Sequence, residues 1–128
     1  MTTVRWIHAF AALAAALLLA ACGGGDGGYG SIAISESNAR VAIVTDGLTQ
    51  SIANDEARDE CDAKDCTVVL QFERCGAASS ALTTGGVRVY GVAAGGSAFD
   101  AQTAANNVCT DKGGVGCTAI PNLPAKCT

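Results

Sequence analysis

Three kinds of residue in this chain could carry chemistry: cysteines, carboxylates and a few potential nucleophiles. Seven cysteines in 128 residues point either to disulfides or to a thiolate metal site. The single histidine, His8, lies in an apolar leader. Neither a Ser-His-Asp nor a Cys-His nucleophile, nor a histidine metal ligand, is therefore expected in the domain that follows. Ser79 and Ser80 would need a lysine as base, and nothing in the spacing brings Lys64, Lys112 or Lys126 to them. Glu56 and Glu60 are one helical turn apart. Paired carboxylates cleave glycosides only from a cleft that raises one pKa, and an exposed helix face provides none. Gly113-Gly-Val-Gly116 lacks the Lys-Ser/Thr of a phosphate loop. The inventory gives no catalytic residue, no cofactor site and no metal site.

One acidic run remains. Asp55-Glu-Ala-Arg-Asp59-Glu-Cys-Asp62-Ala-Lys-Asp65 concentrates Asp59, Glu60, Asp62 and Asp65 where a helix macrodipole is already negative. These acids either solvate a face screened by Arg58 and Lys64 or form a surface for a basic protein partner. The matching place in the second half carries Asn106, Asn107 and Val108, so the repeat itself does not require acids.

The elements that must position these residues follow one plan twice, over residues 31–75 and 77–127. In the first half, residues 31–35 and 39–45 read as a hairpin across Glu36-Ser-Asn38, followed by a helix over residues 50–61 capped by Thr49 and a strand over residues 67–72. Ile52, Ala53, Ala57 and Cys61 fall on one side of that helix. In the second half, residues 77–82 and 87–92 flank a Thr-Thr-Gly-Gly turn. Ser97-x-x-Asp100 then reads as a capping box before Ala101, Ala104, Ala105 and Val108. The closing segment, residues 117–124, contains Pro121 and Pro124, which restrict it to an edge strand or irregular chain. The expected fold is α+β: two pseudo-repeated ββαβ units forming one or two antiparallel sheets with two helices.

Residues 1–21 have a short n-region with Arg5, then an apolar run too short to span a bilayer comfortably. Leu19-Ala20-Ala21-Cys22 resembles the lipobox of bacterial lipoproteins, in which the cysteine is joined to diacylglycerol and the leader is cut in front of it. The resemblance implies lipidation at Cys22 and a membrane anchor outside the cytoplasm. In a Gram-negative host, Gly23 in place of Asp implies outer-membrane sorting, facing the periplasm. Residues 22–28, nearly all glycine after Cys22, read as a flexible tether, and the single domain occupies residues 29–128. Removing Arg5 leaves seven Lys/Arg (8 less one) against 12 Asp/Glu, which argues against nucleic acid as a partner. With aromatics at only 5%, so light a core needs staples.

Six cysteines remain beyond Cys22. The repeat maps Cys61 to Cys109, Cys66 to Cys117 and Cys75 to Cys127. Cys66 and Cys75 bracket a strand about 30 Å long, beyond any bridge. Cys61 ends a helix that turns into that strand, so Cys66 is its neighbour. The expected bonds are Cys61–Cys66, Cys109–Cys117 and, across the halves, Cys75–Cys127. The competing reading is a zinc site using the Cys61 and Cys66 spacing.

Tyr29-Gly-Ser-Ile-Ala-Ile-Ser35, the helix ending in Cys61, Cys66-Thr-Val-Val-Leu-Gln-Phe72, Arg74-Cys-Gly-Ala77 and the second helix ending in Cys109 together resemble the domain of unknown function 4189 family. Its members are small exported bacterial domains, typically beginning Tyr-Gly-Ala-Ile-Ala and carrying a mid-chain Cys-Gly-Ala. The resemblance covers about residues 29–127. Residues 41–45 and 93–96 lack the strand aromatics usual in members, and no catalytic residue carries over. The expected function is that of a membrane-tethered, non-catalytic protein-binding module, for example an inhibitor or immunity protein. The alternatives are a structural or envelope-stress lipoprotein without a ligand, and an enzyme with an unrecognised site.

Overall fold

The computed structural model describes residues 28–128. Residues 1–27, which hold the expected leader, Cys22 and all of the expected tether but Gly28, lie outside the described residues. The elements run β1 (Tyr29–Ser35), β2 (Arg40–Gly47), α1 (Gln50–Cys61), β3 (Thr67–Phe72), β4 (Cys75–Leu82), β5 (Arg88–Gly95), α2 (Ala98–Asp111), β6 (Val115–Ala119) and β7 (Lys126–Cys127). They form two antiparallel sheets, β2-β1-β3 and β5-β4-β6, with β7 also on β4. Each half is thus a ββαβ unit whose first strand lies in the middle of its own sheet.

Alternation along the strands sorts the side chains into layers. Ile32, Ile34, Ile43 and Phe72 of the first sheet meet Ala78 and Tyr90 of the second, with Val92, Leu123 and others at the margin. On its other face the first sheet packs Ala33, Ala42 and Val44 against Ala53, Ala57 and Cys61 of α1. The second packs Cys75 and Ala77 against Ala101 and Ala105 of α2. The order of layers is therefore helix, sheet, sheet, helix. The layers between helix and sheet are built mostly from alanine and cysteine, so the helices lie close. A Cβ on Gly91 would run into backbone atoms of Ala105 and Cys109.

Both helices start where the sequence sets a cap. The Thr49 hydroxyl accepts from the Ile52 amide and the Ser97 hydroxyl from the Asp100 amide, each satisfying a free first-turn donor. Each unit also anchors its helix by a Gln-Asn pair one turn apart. Gln50 donates to the Gly30 carbonyl and to Asn54, and Gln102 donates to the Ala78 carbonyl and to Asn106.

The structure departs from expectation at three places. Ile52, expected on the buried side of α1, is 40% exposed, because only the narrow stripe Ala53, Ala57, Cys61 faces the sheet. In β3 the register to β1 shifts between Ile32 and Ala33. This bulge leaves Val69 exposed and lets Val68 face α1 while Leu70 and Phe72 face the other sheet. The closing strand begins earlier than residue 117 and is split. β6 pairs with β4 between Ser79 and Leu82, and β7 with Cys75 and Gly76. Pro121 and Pro124 lie between the two, outside both strands.

Candidate functional site

All six cysteines among the described residues are paired: Cys61 with Cys66, Cys109 with Cys117, and Cys75 with Cys127. No thiolate is left from the Cys61 and Cys66 spacing for zinc. Among the described residues no group of three or more His, Cys, Asp or Glu could hold a metal ion. The Ser79 hydroxyl donates to the Thr118 carbonyl at 2.9 Å, and Ser80 accepts from Arg88 at 3.4 Å, so the two serines are held by neighbours other than lysine. Glu56 and Glu60 are both exposed.

The acidic run divides into two pairs. α1 ends at Asp62, whose left-handed backbone (φ 53) reverses the chain while its amide bonds the Arg58 carbonyl. The disulfide from Cys61 to Cys66 then closes the short connection into β3. Within that loop the Asp65 carboxylate accepts from the hydroxyls of Ser35 and Ser37 and from the Asn38 side-chain amide at 3.2 Å. The Ser35 hydroxyl also accepts from the backbone and side chain of Asn38. Hydrogen bonds from Ser35 and Ser37, outweighing desolvation, hold the Asp65 carboxyl below its ordinary value. Asp62 accepts from Arg40 at 3.1 Å, an exposed ion pair. Through these contacts Asp62 and Asp65 dock the end of α1 onto the β1–β2 turn.

Asp59 and Glu60 have no such partner among the described residues and are exposed. Arg58, expected to screen them, bonds Asp55 at 2.9 Å instead. A shallow hollow of about 320 Å³ is lined by Arg58, Asp59, Asp62, Ala63 and Lys64. A second, of about 440 Å³, continues from Asp62 and Lys64 to Ser37 and Asn38. The loop after α2 is different. It is closed by Cys109–Cys117, turns through Gly113 and Gly116 at φ 92 and 70, and has only Asp111 and Lys112 as charges. No motif marked Ser35, Ser37, Asn38 or Arg40 as part of this corner. Its one available signal was the run of polar residues in the turn, which alone does not name a distant carboxylate.

At the opposite end, a shallow cleft of about 420 Å³ lies between the units, lined by Gln50, residues 71–74, Ala94 and Gly95. The Phe72 ring closes its floor, held between Gly30 and Gly76, where a Cβ on either glycine would overlap the ring. The family model described as Domain of unknown function (DUF4189) matches residues 29–123. The chain belongs to this family. The two glycines belong to the Tyr29-Gly-Ser-Ile-Ala and Cys75-Gly-Ala segments, so both family-like motifs meet on one aromatic ring. The matched span ends before β7 and the Cys127 half of the long-range disulfide. No curated protein and no solved structure matches the chain.

Proposed function

We propose that this domain is a membrane-tethered, non-catalytic module that holds a basic protein partner outside the cytoplasm. The observation that carries the reading is the corner around Asp59 and Glu60. Two free carboxylates stand on a helix end whose following loop is fixed by the Cys61–Cys66 bond, the Asp62–Arg40 pair and the Asp65 contacts to the β1–β2 turn. A surface ordered before binding loses little conformational entropy on association. Exposed carboxylates add long-range attraction for a basic partner and a steep salt dependence. The cysteine chemistry supports the compartment, since six paired cysteines suit an oxidising environment. Lipidation of Cys22 supplies the tether, and the loss of membrane fractionation in Cys22→Ser with unchanged folding tests it.

Affinity capture of the mature domain from envelope extracts, over a range of salt, tests the partner. Asp59→Asn/Glu60→Gln leaves the structural pair Asp62 and Asp65 in place and is expected to lose the captured protein. Capture of the same proteins with unchanged salt dependence sinks the proposal and returns the corner to a solvated face.

A further inference from the structure

The large apolar side chains left in solvent fall mainly at the two ends of the molecule, and one group lies where the chain enters the fold. Leu48 is 85% exposed and Phe99 78%, with Tyr29 and Ile52 partly exposed. Leu48 follows Gly47, the residue paired with Tyr29 across β1 and β2, and Phe99 sits in the first turn of α2, just after β5. The two positions share one end of the molecule, because Gln50 of α1 and Gly95 of β5 line the same cleft. Leu48 and Phe99 have almost no packing role, and exposed large apolar residues grouped beside a chain entry mark an interaction surface.

We infer that this end rests on a zwitterionic lipid surface, a reading that builds on the Cys22 anchor proposed above. The length of chain ahead of Tyr29 decides the geometry. Residues 22–28 number seven, and a chain of seven residues spans at most about 25 Å. The opposite end carries another exposed apolar group, Leu82, Val87 and Val115. It lies a full strand away, about 26 Å for eight residues such as Arg40–Gly47, and could reach the bilayer only with the tether close to full extension. Asp46, Glu73 and Asp100 outnumber Arg74 near Leu48 and Phe99, so the favoured surface is zwitterionic rather than anionic. Docking this end turns the Asp59 and Glu60 corner away from the membrane, toward a soluble partner.

The first-turn amides of α1 and α2 have no partner within their helix and exchange readily unless covered. Hydrogen exchange of the lipidated protein in phosphatidylcholine vesicles, compared with Cys22→Ser in solution, therefore reads the docking. Slowing of about tenfold, equivalent to about 1.4 kcal/mol, is expected around Leu48 to Ser51 and Ser97 to Phe99, with none around Thr84 to Val87. Leu48→Ser/Phe99→Ser is expected to stay on the vesicles and lose the slowing, and both sites are too exposed for the change to unfold the domain. A mass without lipid at Cys22 overturns the anchor reading and this one together. Lipid present with unchanged exchange at both segments overturns only the docking, as does slowing at residues 84–87. Equal slowing in the free protein that grows with its concentration assigns the face to a second copy instead.

Discussion

Asp65 ties the loop after α1 to the β1–β2 turn, and its protonation state makes that role testable. Its carboxyl is held below the ordinary 3.8 by the Ser35 and Ser37 hydroxyls. A depressed folded-state pKa contributes stability that is present above the unfolded value and is lost as pH falls through the folded one. Asp65→Asn is therefore expected to lower the urea midpoint at neutral pH, and the gap to wild type is expected to close below the ordinary carboxylate value. A gap that stays constant into strong acid contradicts the assignment. Gly76 gives a second test at this scale. A methyl there overlaps the Phe72 ring, and overpacking of this kind costs about 1–3 kcal/mol. Gly76→Ala is expected to destabilise by that order, and to cost less in a Phe72→Leu background, where the smaller side chain leaves room. Additive losses in that double-mutant cycle would mean that the ring is not what fixes the glycine. Sequence reasoning located the acids but not this ring, since nothing local links Phe72 to glycines in two other strands.

The disulfides act between elements. Cys61 and Cys66 are 5 residues apart, whereas Cys75 and Cys127, directly opposite on β4 and β7, are 52 apart. In the chain-entropy model these loops are worth about 2 and about 4 kcal/mol. Cys61 and Cys75 are both buried, so lost packing affects the two alanine variants alike and loop length decides the order. Cys75→Ala is expected to lower the denaturant midpoint more than Cys61→Ala, at unchanged slope. Equal or reversed losses count against the entropic account. Much at this scale was legible in the sequence, because it rests on local periodicity. Both helices and their Thr49 and Ser97 caps start where the polar-to-apolar pattern places them, and the repeat mapped the cysteines onto one another. Register and bulges were not legible. The bulge at Val69 and the splitting of the last strand depend on which β1 or β4 residues lie opposite, and alternation alone does not record that.

For the whole molecule, duplication predicts two similar units, and the structure shows that they are similar in plan and unequal in content. The first unit brings Ile32, Ile34, Ile43 and Phe72 to the space between the sheets, while the second brings Ala78 and Tyr90. Tyr90 is buried in that layer. Its hydroxyl is buried without a partner among the described residues, and burial raises its pKa. The sequence left open whether there are one or two sheets, because the pairing pattern of a repeat fits either; the answer lies in these inward side chains. The Lys126 ammonium, from the last strand, donates to the Ile43 carbonyl of β2 at 2.8 Å, and Thr128 bonds the Glu73 and Arg74 carbonyls. The C-terminal segment thereby fastens the second unit onto the first and covers part of the β2 edge. Each unit alone would expose its share of the inter-sheet core, with fewer than about 50 residues to offset the entropy of folding. A fragment of residues 29–74, with its Cys61–Cys66 bond formed, is expected to be unfolded by circular dichroism and to show no protected amides. The intact domain is expected to unfold in one cooperative transition with coincident probes. A folded fragment, or two separated transitions in the intact chain, would show instead that each ββαβ unit is stable by itself and that the sheets meet only after both have formed.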